Sequence, residues 1–299
     1  MHNLPPLPCY LNGEFTLLPD AKISVMDRGF IFGDGVYEAV PVYGGRPFRF
    51  EQHMQRLARS LNELRLPNPL THEQWQQLVA DLVARYAQSV GLDVRSVDQL
   101  VYIQITRGVA LRDHAMPAQC TPTVFAMSNR LVQPGAQQRM DGVACVSADD
   151  FRWEKAHIKS TSLLGAVFAR QISVDAGAVE TVMFRRNYLS EAASSNVWVV
   201  KDGMLLGPPR NNLVLEGIRY GLMEELCLAL GLQLALRPIH RDEVARADEL
   251  LLSSATKEVL AITSLDGKPV GTGQPGPVYH ALYAAYQSAK GSLPRALAA

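Results

Sequence analysis

The sequence predicts an α+β chain in two domains, and three observations predict it. Strand-like runs outnumber helical ones, and most meet a neighbour across a short turn. That favours local pairing over a doubly wound parallel sheet. Asn12-Gly13, Gly44-Gly45 and Asp202-Gly203 are turn signals of the hairpin kind. The polar stretch NRLVQPGAQQ, residues 129–138, carries a Pro-Gly turn. It reads as a linker between a smaller N-terminal domain, 1–128, and a larger C-terminal domain, 139–299.

Residues 8–50 alternate short β-like runs with turns. Within them, GFIFGDGVYEAV invites comparison with a dinucleotide loop. The comparison fails, because Gly33-x-Gly35 is followed by Glu38 where a third glycine belongs, and no helical pattern opens there. A strand-turn element using glycine for close approach is the ordinary alternative. Residues 51–65 set Met54, Leu57, Leu61 and Leu64 at helical spacing, with Arg56 and Arg59 off that stripe. Pro67 and Pro69 stop the helix. Thr71 with Gln74 matches a capping box, opening a second helix with Trp75, Leu78, Val79, Leu82, Val83 and Tyr86 on its apolar face. LVYIQITRG (100–108) and TPTVFAMS (121–128) read as strands. Beyond the linker come strand-like GVACVSA, a helix over 163–172, strand-like ETVMFRR and the NVWVVKDGMLL hairpin. A helix near 216–230, the strand ELLLSS and an LDGK turn follow.

Composition bounds the function. Of 299 residues, 47% are apolar and 19% charged, which is globular and neither disordered nor fibrous. Lys+Arg and Asp+Glu both number 29, so no net field draws the chain to nucleic acid or acidic lipid. Any anion site must be local. Cys9, Cys120, Cys145 and Cys227 are scattered and form no CxxC pair. No metal site or disulfide framework is therefore expected, and a reducing cytoplasm is the expected compartment. The start, MHNLPPLPCYLNG, lacks the basic and apolar regions of a signal peptide. The longest apolar run, LCLALGLQLAL, is interrupted by Gln233 and too short to span a bilayer. Only seven lysines occur, so a reaction that needs a lysine amine has few candidates.

Each chemical candidate has an ordinary alternative. Lys159, in AHIKSTSLLG, is an exposed loop lysine or one that forms a Schiff base. Apolar surroundings would disfavour its ammonium and free the amine to attack a carbonyl. Glu191, in LSEAASSNVW, is a solvated turn glutamate or a buried partner of a pyridine nitrogen. LEGIRYG (215–221) and SSATKE (253–258) are simple caps or phosphate-binding turns. TRGVALRDH (106–114) gathers Arg107, Arg112 and His114 in a protein without net charge.

Taken in order, DRGFIFGDGVYE, Arg56, TRG, HIKSTSLLG, SEAASSNVW, EGIRYG and SSATKE resemble the fold-type IV pyridoxal-phosphate enzymes. The resemblance runs from about residue 10 to about residue 272. It implies mixed or antiparallel sheets with flanking helices, the cofactor in the cleft between domains, and a homodimer. It implies pyridoxal 5'-phosphate carried by Lys159, with Glu191 on the pyridine nitrogen. Arg56, Asn196, Leu215, Ile218, Arg219, Ser254, Ala255 and Thr256 would complete the cofactor site, Leu215 against the ring and Arg56 on the phosphate. Arg219 and Ala255 stand where relatives often carry threonine, so at Ala255 the phosphate contact falls to the backbone, or to Ser254 or Thr256.

Within that family the D-amino-acid aminotransferases hold the substrate carboxylate with a tyrosine and an Arg-x-His pair. Tyr37, Arg112 and His114 match them, which leaves Arg107 as scaffold. A lysine working from one face of the cofactor fixes where the Cα hydrogen points. The side on which carboxylate is trapped then decides the hand of the amino acid. The expected reaction is transamination between a D-amino acid, D-alanine first, and a 2-oxo acid such as 2-oxoglutarate. Branched-chain or other L-amino-acid aminotransferase and (R)-amine transaminase are the alternatives, with aminodeoxychorismate lyase behind them. No nucleic-acid or membrane partner is expected.

Overall fold

A computed structural model describes residues 4–291. The outermost residues of the two expected domains, 1–3 and 292–299, lie outside that range. The described residues form two compact units, one of residues 4–131 plus Ile158–Leu163, the other of Val132–His157 and residues 164–291.

The first unit runs β1 (Pro8–Leu11), β2 (Glu14–Leu17), α1 (Arg28–Phe32), β3 (Gly35–Tyr43), β4 (Arg46–Pro47), α2 (Phe50–Glu63), α3 (His72–Ser89), β5 (Gln99–Thr106) and β6 (Thr123–Arg130). The strands form one sheet in the order β2-β1-β6-β5-β3-β4, every neighbouring pair antiparallel. Alternation along β3 sends Val36, Glu38, Val40 and Val42 inward, all fully buried, and Tyr37 to the opposite face. The core joins these valines to Val101, Ile103 and Ile105 of β5, Leu57 and Leu61 of α2, and Trp75, Val79 and Leu82 of α3. The capping box at Thr71 is present, with Gln74 Oε1 accepting the Thr71 N–H at 2.8 Å.

Two stretches differ from what the sequence reading assigned to them, and the helices Arg241–Ala245 and Pro277–Gly291 lie where it assigned no element. Residues 28–32 form the short helix α1, where a strand-turn was expected. Asp27 caps it by accepting from Gly29 N, and Gly33, at φ +65°, ends it. Five residues are too few for a helical period to register. The expected linker is also partly regular. β6 extends through Arg130, and Ala136–Asp141 is helical.

The segment Ile158–Leu163 clusters with the first unit because its backbone extends the edge of β3. Tyr37 N donates to Lys159 O at 3.0 Å and Thr161 N to Gly35 O at 2.9 Å, while Ile158 packs into the core.

The second unit holds α4 (Ala136–Asp141), β7 (Val143–Asp149), α5 (Leu164–Asp175), β8 (Glu180–Arg185), β9 (Tyr188–Ala192), β10 (Asn196–Lys201), β11 (Met204–Gly207), α6 (Ile218–Leu230), β12 (Leu234–Leu236), α7 (Arg241–Ala245), β13 (Glu249–Ser254), β14 (Glu258–Leu265), β15 (Lys268–Pro269) and α8 (Pro277–Gly291). Its sheet is mixed, with parallel pairs at β11–β12, β14–β7 and β7–β8 and antiparallel pairs elsewhere. The α+β class with mixed and antiparallel sheets therefore holds. Continuous apolar runs such as Val197–Trp198–Val199–Val200 suit strands buried on both faces. No helix among the described residues is long and apolar enough to cross a membrane.

Candidate active site

In the first unit, Glu38 points from β3 into the face of α2 that carries His53, Arg56 and Ser60, one to two turns apart. Arg56 donates Nε to Glu38 Oε1 and Nη2 to Oε2, both at 2.7 Å, and His53 Nδ1 lies 2.7 Å from Oε2. Burial alone would push the Glu38 carboxyl up, but the Arg56 charge and hydrogen bonds, then His53, hold it well below the usual carboxylate range. The bidentate pair locks the plane of the Arg56 guanidinium. Ser60, one helical turn further on, accepts the Lys159 N–H at 3.2 Å. One face of α2 thus sets both Arg56 and the Lys159 main chain.

Lys159 is half-buried, its Nζ 4.1 Å from the centroid of the Tyr37 ring. The face of an aromatic ring attracts a lysine head group laid over it. The Tyr37 ring lies 5.7 Å from that of Tyr102, whose hydroxyl donates to Gln104 Oε1 at 2.7 Å. Burial, with Tyr37 beside it, pushes the Tyr102 phenol up to about 12, so it stays neutral.

The Arg112 and His114 side chains are exposed, on the loop after β5. They gather on Phe32 of α1, with the Arg112 guanidinium carbon 5.5 Å and the His114 ring 5.4 Å from that ring's centroid. Their neighbour in the structure is thus Phe32, whereas Tyr37 keeps company with Lys159 and Tyr102. Arg107 is buried and donates Nε and Nη2 to Asp34 at 2.8 and 3.0 Å, which makes it the scaffold cation the sequence suggested.

In the second unit, Glu191 on β9 is 5% exposed and surrounded by donors. Arg152 Nη1 gives to Oε1 at 2.7 Å, while Asn196 Nδ2 and Leu215 N give to Oε2, each at 3.2 Å. Burial pushes the Glu191 carboxyl above its ordinary value, and the Arg152 charge pulls against that rise. Arg152 is itself held by Asp150 through Nε and Nη2, both at 2.9 Å. Asn196 Nδ2 also donates to Leu215 O at 2.9 Å, so Leu215 is fixed through both its main-chain groups.

α6 begins three residues later. Its N-cap is Gly217, which has no side chain to cap the helix. A Cβ on Gly217 would collide with Asn196 Oδ1. Ile218 and Arg219 form the buried first turn, and the Arg219 guanidinium lies 5.5 Å from the Tyr286 ring centroid. Between β13 and β14, Ser254, Ala255 and Thr256 make a half-buried turn in which Ser254 Oγ accepts the Lys257 N–H at 3.0 Å. Accepting there leaves the Ser254 proton available to donate, which Ala255 cannot do.

Each unit therefore carries part of a chemical set. The first holds an amine beside an aromatic face, a locked guanidinium, and an Arg–His pair on a loop. The second holds a buried carboxylate and a bare helix start. Glu38, His53, Arg152 and Tyr102 escaped the sequence reading. Glu38 did leave a signal, because it falls in the inward phase of β3 and a buried carboxylate needs partners. Arg152 left none. Among the described residues no group of His, Cys, Asp and Glu is disposed to hold a metal ion.

Comparison with known proteins gives the family. The sequence model of the family described as amino-transferase class IV matches residues 35–265. A D-alanine aminotransferase of Staphylococcus aureus (strain MSSA476) is 34% identical over 280 residues, spanning 93% of this chain and 96% of that protein. A D-alanine aminotransferase of Bacillus licheniformis is 34% identical over 277 residues, 93% of this chain and 95% of that one. Among solved structures, the branched-chain amino acid aminotransferase of Escherichia coli superposes with a TM-score of 0.83 at 25% identity, covering 95% of this chain and 94% of its own.

Proposed function

The chain belongs to the class IV aminotransferases, and from that premise we propose that it transfers the amino group of a D-amino acid, D-alanine first, to a 2-oxo acid such as 2-oxoglutarate. The products of that pair are pyruvate and D-glutamate. The cofactor would be pyridoxal 5'-phosphate.

The residues fit that group. An uncapped helix start at Gly217, Ile218 and Arg219 suits a phosphate, because its N–H groups and dipole favour an anion. Arg219 would contribute its backbone there, since its guanidinium is directed to Tyr286. Arg56, Ser254, Ala255 and Thr256 would add donors. Glu191 suits a protonated pyridine nitrogen, and its three donors keep it oriented. Leu215 would lie on the ring. When bound, the cofactor supplies an electron sink for the pair left at Cα. Lys159 would carry the cofactor and then, as a free amine, take the Cα proton. Tyr37 would keep that amine on one face.

The observation that supports the choice of D-amino acids is the gathering of Arg112 and His114 on one ring, where they would receive one carboxylate. An Arg–carboxylate contact is charge-assisted and fixes orientation as well as affinity. Branched-chain L-amino-acid transamination is the second reading, favoured by the similarity to the Escherichia coli enzyme. Both activities occur on this fold, so the loop residues must decide. An (R)-amine transaminase would need a carboxylate trap only for its oxo-acid partner.

A homodimer fits the exposed apolar stripe of α5, where Leu164, Val167, Phe168 and Ile172 recur at helical spacing with Leu164 69% and Phe168 60% exposed. The four cysteines are free thiols, which suits a cytoplasmic enzyme.

The test is a steady-state assay of purified protein with D-alanine and 2-oxoglutarate. Pyruvate is expected to form beyond one equivalent per site only when the oxo acid is present, and then in a one-to-one ratio with D-glutamate. Sustained turnover of D-alanine with 2-oxoglutarate that yields no D-glutamate would overturn transamination.

A further inference from the structure

We propose that Arg28 is a positioning residue for substrate, holding the loop that presents Arg112 and His114. The proposal rests on the reading above that these two side chains receive the substrate carboxylate.

The loop needs holding. Leu111 at its tip is 88% exposed, and Arg112, Asp113 and His114 are all exposed. A segment with so little buried surface keeps no fixed shape by packing. Its ties lead mainly to Arg28 and the residues beside it. Arg28 N donates to Gly108 O at 2.8 Å, Ala110 N to Met26 O at 3.4 Å, and Asp27 bridges to Val109. Gly108, at φ +94°, makes the turn into the loop, and a Cβ there would collide with Thr121 O.

The decisive contact is deeper along the loop. Arg28 Nη1 donates to Asp113 O at 2.6 Å. That carbonyl belongs to the peptide that joins Asp113 to His114, so the bond sets the direction in which His114 leaves the chain. It also restrains Arg112 one residue earlier. The guanidinium is anchored from behind, with Nε on Asp34 Oδ2 at 2.8 Å. Asp34 is fixed in turn by Arg107, whose Nη2 reaches Leu64 O at 2.7 Å. The Arg28 guanidinium carbon lies 4.7 Å from the Phe32 ring centroid, the ring on which Arg112 and His114 also rest. Three cationic or titratable groups gather on one aromatic ring, and the buried one is bonded to the chain between the other two.

Arginine suits this position because one rigid plane must give hydrogen bonds in two directions, to Asp34 and to Asp113 O. A lysine could satisfy one. The ordinary alternative is that Arg28 merely balances Asp34 inside the unit. In that case its loss would weaken the fold and affect all substrates alike.

The experiment compares holoenzymes of the native protein, Arg28→Lys, Arg112→Ala and the double variant. It follows the visible absorbance during the half-reaction with D-alanine and with isopropylamine, which has a methyl where D-alanine has its carboxylate. Arg28→Lys and Arg112→Ala are each expected to lower the D-alanine to isopropylamine rate ratio roughly tenfold or more, the weight of one hydrogen bond to a charged group. The double variant is expected to lower it no further than Arg112→Ala alone, because Arg28 acts through that loop. An Arg28→Lys ratio equal to the native one, or a double variant whose loss is the product of the two, overturns the proposal. An unchanged ratio in Arg112→Ala instead overturns the carboxylate reading beneath it. Should Arg28→Lys not fold, Phe32→Leu replaces it. That variant removes the shared ring and leaves both arginines, and the same selective loss is expected. An unchanged ratio there overturns the proposal as well.

Discussion

At the scale of single residues, two buried carboxylates sit in opposite environments. Glu38 is bracketed by Arg56 and His53, and its pKa is depressed despite full burial. A depressed folded pKa adds stability that is present above the unfolded pKa and lost as pH falls through the folded one. Unfolding free energy is therefore expected to decline as pH drops below about 4.3, the ordinary glutamate value. Glu38→Gln should lack that share of the acid dependence and lose about 3 kcal/mol at neutral pH, as when one partner of a buried pair is stranded. Urea unfolding across pH measures both. A variant as stable as the native protein would contradict the coupling. Glu191 is the converse case, pushed up by burial and restrained by Arg152. Removing that restraint in Arg152→Met should let its pKa rise further, so that the ionised form returns only at higher pH. The acid limb of kcat against pH is expected to move upward. Where the limb passes pH 7, kcat there should fall roughly tenfold for each further pH unit that it travels. An unmoved limb would mean that Arg152 serves only Asp150.

At the scale of elements, what could be read in the sequence was what is local. The capping box at Thr71 and Gln74 lies within four residues, and α3 begins where it says. The hairpin turns at Gly13, Gly203 and Gly267 are equally local, each glycine at positive φ. The five-residue α1 was hidden because it is shorter than two turns. Why Glu38, His53 and Arg56 belong together was hidden too, since a strand and a helix supply them and only folding makes them neighbours. The same holds for Lys159. Motif order singled it out, but nothing in its flanks tells that its backbone completes the edge of β3. Arg152 stands in a loop with no spacing to mark it. The start of α6 lends itself to a direct test. Gly217→Ala would force the new methyl against Asn196 Oδ1, and so disturb both the helix start and a donor to Glu191. Affinity for pyridoxal 5'-phosphate is expected to fall roughly tenfold, about 1.4 kcal/mol. Titration of the apo-protein by absorbance reads this, and native affinity would detach the helix start from the phosphate.

At the scale of the whole molecule, the two units divide the work. The antiparallel sheet of the first positions an amine, a locked guanidinium and a loop that carries Arg112 and His114. The mixed sheet of the second buries a carboxylate and presents a bare helix start. Fold class was legible because strand count and turn chemistry are properties of the whole chain. Substrate hand is not such a property. It depends on where one carboxylate is received, and the claim of D-amino-acid transamination rests there. The measurement that tests it most directly is a half-reaction screen of the purified holoenzyme, following its visible absorbance on mixing with single amino acids. D-alanine is expected to change the spectrum rapidly while L-alanine and L-leucine leave it essentially unaltered. A rapid change with L-leucine and none with D-alanine would contradict the account.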